Sequence, residues 1–178
     1  MNAFFATLLV GIGLSMDAFS LSLIYGTQNI NRNNKIILSV IVGLYHFFMP
    51  LLGLYLGNFI TKFLMFDINI FVSFIFLIIG IEMIISSLKE KEEKLFLNIL
   101  GYFIFGFSVS IDSFTTGIGL NAINNNYLEV SIIFCLVSGL FTFVGLLLGN
   151  KLEKYFGRLS TIIGGIILIL LGIYYFFV

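Results

Sequence analysis

The chain alternates between long apolar runs and short polar punctuation. Six runs stand out, at roughly 3–25, 36–58, 69–88, 97–120, 128–149 and 159–178. A helix that crosses a bilayer needs about 20 apolar residues, and each run supplies them. The connections are short. They span Thr27 to Lys35, a stretch holding Lys62 and Asp67, the run KEKEEK from Lys89 to Lys94, Asn121 to Glu129, and Lys151 to Arg158. A membrane barrel would instead show segments of about ten residues with alternating polarity. These runs are longer and apolar all round, so the pattern predicts an all-α membrane protein of six transmembrane helices.

Composition agrees. The chain is 60% hydrophobic and 10% charged, against about 25% charged residues in soluble domains. Net charge is zero, which gives no electrostatic footprint for nucleic acid. Lipid is the surrounding partner, and the sequence leaves the oligomeric state open. The single cysteine, Cys135, sits in an apolar run and reads as packing. The first run has no basic segment before it and no clear cleavage site, so it is expected to remain in the mature protein. Loops one, three and five carry Arg32, Lys35, Lys89, Lys91, Lys94, Lys151, Lys154 and Arg158, whereas loops two and four carry only Lys62. Basic loops stay in the cytoplasm. Both termini are therefore expected outside it, in a multi-pass protein of the cell's inner membrane.

The chain also matches itself. Ser-Met-Asp-Ala-Phe at 15–19 aligns with Ser-Ile-Asp-Ser-Phe at 110–114. Gly-Leu-Tyr-Leu-Gly-Asn at 53–58 aligns with Gly-Leu-Leu-Leu-Gly-Asn at 145–150, and Gly80-Ile81 aligns with Gly172-Ile173. The order is kept, at offsets of 95, 92 and 92 residues. This predicts two three-helix repeats, 1–88 and 97–178, joined by a charged cytoplasmic linker at 89–96. An odd number of helices per half inverts the second half in the membrane, the architecture common among secondary transporters.

Asp17 and Asp112 fall at equivalent repeat positions near the middles of helices one and four. A carboxylate there costs roughly 2.5–3.5 kcal/mol on insertion scales. A protonated acid bonded to a neighbouring helix is the structural explanation; cation binding is the functional one. Residues three or four apart share a helix face. Asp17 thus joins Gly13 and Ser20, and Asp112 joins Ser108, Thr115 and Thr116. Carboxylates, hydroxyls and carbonyl oxygens suit hard divalent cations. Ser15 and Ser110, two residues before each acid, extend the candidate pathway. Pro50 lies within helix two and releases the carbonyl of His46 from its helical bond. His46, the only histidine, reads either as a ligand or proton relay or as a bonded core residue. Glu82 has Tyr174 as its repeat counterpart, and reads either as a pathway residue or as a side chain snorkelling to the interface. Gly53/Gly57 and Gly145/Gly149 are spaced for close helix packing.

Gly-Leu-Ser-Met-Asp-Ala-Phe at 13–19, Ser-Ile-Asp-Ser-Phe at 110–114 and Met-Pro-Leu-Leu-Gly at 49–53 resemble the motifs of the MntP-type manganese efflux pumps. The resemblance spans the chain. It implies export of Mn(II), as transported substrate rather than cofactor, with Asp17 and Asp112 essential. Position 46 often holds Gln or Glu in that family, whereas this chain has His46. Alternating access with proton exchange is the expected mechanism. Two rival functions fit the same acids: export of another divalent cation or small solute, and an intramembrane aspartyl protease. The protease would want Gly-x-Gly-Asp, but Val109, Ser110 and Ile111 precede Asp112.

Overall fold

The computed structural model of the chain describes residues 3–28, 30–61, 68–88, 98–120 and 126–177, with backbone alone at 60, 61, 68 and 150–158. The charged linker at 89–96 and the loop with Lys62 and Asp67 lie outside the described residues. Five helical runs appear: α1 (Ala3–Gly26), α2 (Arg32–Thr61), α3 (Ile68–Leu88), α4 (Ile99–Leu120) and α5 (Tyr127–Phe176). They contain six segments long and apolar enough to cross a membrane, α5 supplying two, Tyr127–Gly149 and Leu159–Phe176. The described residues contain no strand, and the all-α membrane fold holds.

One boundary differs from expectation. The polar stretch 151–158 is helical rather than a break between helices. It holds Lys, Leu and Glu, which are good helix formers, and no proline. A straight helix of this 50-residue length would reach about 75 Å. It does not stay straight. Gly149 packs on Gly26, whereas Gly164 packs on Gly13, so α5 turns back between Gly149 and Gly164. Its two arms, Tyr127–Gly149 and Leu159–Phe176, are separate spans.

Glycines set the helix pairing. Down α1, Gly11 meets Phe134, Ser22 meets Gly145 and Gly26 meets Gly149, so α1 runs alongside the first arm of α5 in the same direction. Gly106 meets Ile41 and Tyr45, while Gly117 meets Pro50, so α2 and α4 also run in the same direction. Against the first arm of α5, α2 is antiparallel: Gly43 meets Cys135 and Gly139, and Tyr55 stacks on Tyr127. Gly80 meets Gly165, and Gly172 meets Leu77 and Ser73, which packs α3 against the second arm.

The same contact is made twice. Gly145 sits on Phe19 O and Ser22, and Gly53 sits on Phe114 O and Gly117. These are equivalent positions of the two sequence halves. Each half thus lends its first helix to the second helix of the other.

Outside this packed interior, α3 shows Phe74, Ile78, Ile81, Ile85 and Leu88 exposed on one side, and every other span but α1 does the same, α1 exposing only Phe4 and Phe5 at its start. An apolar outer surface is costly in water and suits lipid.

Candidate metal-transport site

Two separate apolar clusters fill the interior, and α1, α2, α4 and α5 contribute to both, whereas α3 contributes only to the first. From α1, Val10 and Leu14 enter the first cluster, Ala18 and Tyr25 the second. Leu54 of α2 joins the first, with Leu38, Ile41 and Val42 in the second. In α4, Leu120 belongs to the first and Tyr102, Phe105 and Val109 to the second. The first arm of α5 gives Val130 and Phe134 to the first and Leu146 to the second.

Between these sets lie the polar residues. In α1 they are Ser15 and Asp17; in α2, His46 and Pro50; in α4, Ser110, Asp112, Ser113, Thr115 and Thr116; in α5, Ser138 and Thr142. The amino-acid order places a polar layer between two dry plugs on four helices at once. Tyr25 stacks on Phe105 with centroids 4.6 Å apart. The contacts above make α1 and α4 antiparallel, so stepping two turns inward from this pair leads to Asp17 on one helix and Asp112 on the other. Both acids are half-buried.

Ser15 and Ser138 bond across the α1–α5 seam at 2.8 Å, both fully shielded. Ser15 also bonds Gly11 O at 2.6 Å. A carbonyl only accepts, so the Ser15 proton goes to Gly11 and Ser138 is the donor across the seam. Ser110 instead donates to Phe107 O at 3.0 Å within its own helix.

His46 is completely buried. Its Nδ1 lies 3.0 Å from Val42 O, which fixes the ring proton on Nδ1. The Nε2 lone pair then has no partner among the described residues. Donation of one ring N–H to a backbone carbonyl is the arrangement that orients a ligating imidazole. Ser113 Oγ, Thr116 Oγ1 and Thr142 Oγ1 are also buried without a partner. Unpaired buried polar atoms cost about 1–3 kcal/mol each, and four of them fall in this one layer.

The layer gathers most of the sequence-derived candidates. Ser20 is buried and Thr115 half-buried, whereas Glu82 and Ser108 lie exposed on the outer faces of their helices. Sequence reasoning passed over Ser113, Ser138 and Thr142. Ser138 and Thr142 had a signal, because they are the repeat counterparts of His46 and Pro50. Ser113 had only its helical spacing to Gly106 and Gly117. Among the described residues, no three His, Cys, Asp or Glu side chains converge as a metal cage.

A family model described as "Putative manganese efflux pump" matches residues 29–176. The protein called "Putative manganese efflux pump MntP" from Bacillus licheniformis is 34% identical over 166 residues, which cover 93% of this chain and 89% of that one. Its namesake in Bacillus thuringiensis is 35% identical over 172 residues, 96% of this chain and 94% of its own. The Bacillus mycoides protein of the same name is 34% identical over 172 residues, with the same coverage. No solved structure matches.

Proposed function

The chain belongs to the manganese efflux pump family, and from that premise we propose that it exports Mn(II) from the cytoplasm across the cell membrane. It is a transporter rather than an enzyme, and manganese is its cargo rather than a resident cofactor. The proposed cycle is alternating access. Asp17 and Asp112 receive the ion at the middle of the membrane and neutralise its two charges. Ser20, Thr115 and Thr116 add hydroxyl oxygens, and His46 adds the Nε2 lone pair. Oxygen donors with one imidazole nitrogen suit a divalent ion of intermediate hardness. Ser15, Ser110 and Pro50 shape the walls of the same layer.

One observation carries the reading: a polar layer with unpaired buried donors and acceptors lies between two separate apolar clusters. A mid-membrane site needs a seal on each side, opened in turn. The first cluster would close one side and the second the other. The duplicated Gly145 and Gly53 contacts support two inverted repeats, 1–88 and 97–178, whose relative rocking exchanges the open side. Two carboxylates without a third acid would hold a cation loosely enough to release it. Return of the empty carrier with its carboxylates protonated would couple export to proton entry. The distribution of basic residues among the loops supports both termini lying outside the cytoplasm in this scheme.

The experiment is metal flux in proteoliposomes with Mn, Cd, Ca and Zn, with and without a pH gradient. Mn(II) transport driven by an opposing proton gradient is expected, and Asp17→Asn or Asp112→Asn should abolish it. Full flux in either variant would overturn the two-carboxylate site. Flux indifferent to the gradient would overturn proton exchange while leaving the site standing.

A further inference from the structure

The α2–α5 seam has a furrow on its outer side. It encloses about 420 Å³ and is lined by Ile36, Val40, Gly43 and Leu44 from α2 and by Leu136 and Gly139 from α5. Its rim faces outward, with Val40 54%, Leu136 59% and Leu140 62% exposed. Two missing side chains create it. A Cβ on Gly43 would lie 3.2 Å from Cys135 O, and one on Gly139 would lie 3.4 Å from Ser39 O. The helix backbones approach there, and nothing projects to fill the outer angle between them.

The internal repeat supplies a control. The α2–α5 pair maps onto itself in the repeat, so a second furrow would be expected toward the other end of the seam. The counterpart of Gly139 there is Phe47, at the offset of 92 residues. Its ring packs edge-on against Phe48 at 5.2 Å. At matched positions one end of the seam carries a ring and the open end has none.

Charge distinguishes the open end as well. Arg32 is the first residue of α2 and is exposed. Residues four apart share a helix face, so Arg32, Ile36, Val40 and Leu44 form one line that runs from the helix start down the furrow. Lys35, one turn before Ser39, has its ammonium engaged across the seam, where it donates to Leu146 O at 2.7 Å. From Arg32 to Leu44 the helix rises about 18 Å, close to the depth of one leaflet, about 15 Å.

We propose that this furrow binds one acyl chain of an anionic phospholipid whose phosphate pairs with Arg32. The apolar walls take the chain, one leaflet deep. The guanidinium takes the phosphate through paired N–H···O bonds. A zwitterionic lipid has the same chain but presents a weaker net charge to Arg32.

Native mass spectrometry of the purified full chain tests this, with phosphatidylglycerol or phosphatidylcholine added to the detergent micelles. The wild type should keep one phosphatidylglycerol about fivefold more than phosphatidylcholine, the effect of about one basic side chain at an anionic surface. Arg32→Gln should bind the two equally. Gly139→Phe, which installs the ring carried at the matched position, should lose the adduct. Arg32→Gln changes an exposed residue and decides the matter should Gly139→Phe not fold. An unchanged preference in Arg32→Gln, or an undiminished adduct in folded Gly139→Phe, overturns the proposal. So does a dimer that Gly139→Phe dissociates, which would assign the furrow to a second copy of the chain.

Discussion

Gly117→Ala is the most direct test of how α2 and α4 are held. A Cβ on Gly117 would stand 2.5 Å from Pro50 O and 2.9 Å from Pro50 Cα. Ordinary contact begins near 3.4 Å, so one methyl group must push the two backbones apart by about 0.9 Å. Neither atom is the end of a flexible side chain, and both belong to a helix that carries other contacts. Overpacking of this kind costs about 1–3 kcal/mol. For a chain of this size each kcal/mol lowers the melting temperature by about 2–4 °C, giving a fall of about 2–12 °C. Gly139→Ala is the control. Its Cβ would meet Ser39 O at 3.4 Å and Gly43 Cα at 3.8 Å, and it gains helix propensity over glycine. It should melt with the wild type or slightly above it. The protein reports its own unfolding, because Cys135 is its single thiol and is partly buried. A thiol-reactive dye becomes fluorescent as the helices separate, which suits a chain with no tryptophan. If Gly117→Ala melts with the wild type, or if both variants fall together, the account of this seam as a backbone contact is wrong.

Three further outcomes follow from the same geometry. Thr116→Val removes a buried hydroxyl that has no partner; thermal stability should hold or rise, while Mn(II) flux in proteoliposomes should fall, and unchanged flux would exclude Thr116 from the ion's path. Ser138→Ala deletes the bond to Ser15; interhelical bonds in membranes average about 0.6 kcal/mol and reach about 1.7, so the dye assay should show a drop of a few degrees at most. Glu82→Gln alters an exposed residue on the outside of α3; cells expressing it should lower their manganese as well as wild type does, and loss of export would return Glu82 to the pathway.

Much of the fold was legible because lipid imposes one simple demand. Each run such as 69–88 must be long and apolar, and nothing subtler is needed to find it. The sequence repeat is visible because 15–19 and 110–114 keep Ser, Asp and Phe at the same spacing. The helix partners are not. Helices that are apolar all round carry little information about which side faces which neighbour. Nothing in the order of residues announces that α1 pairs with the first arm of α5 rather than with α2. Gly26, Gly145 and Gly149 signal close approach but not to whom. The helical stretch 151–158 was missed because charged residues read as a connection even when each of them favours helix. The acids were found because a charge in an apolar run is conspicuous. Ser113 and Thr142 were not, because serine and threonine in membrane helices usually bond their own backbone, as Ser39 does with Lys35 O.

At matched positions of the sequence repeat the two seams differ in chemistry, and the difference falls in the polar layer. Ser15 and Ser138 have Ser110 and His46 as their counterparts. In the α1–α5 seam the pair closes on itself through a hydrogen bond. In the α2–α4 seam the hydroxyl turns back to Phe107 O, and the imidazole nitrogen is left without a partner. His46 stands where the matched position holds Ser138, at a cost of about 1–3 kcal/mol for its unpaired nitrogen. That cost is recovered only when something with an electron-pair acceptor, such as a metal ion or a water molecule, enters the layer. Among the described residues the unpaired hydroxyls of the layer are Ser113 and Thr116 on α4 and Thr142 on the first arm of α5, one turn from Ser138. Under the proposed mechanism, the ion's arrival would offset the unpaired imidazole nitrogen of α2 and the unpaired hydroxyls of α4 and α5 together, so one cargo draws on three helices at once.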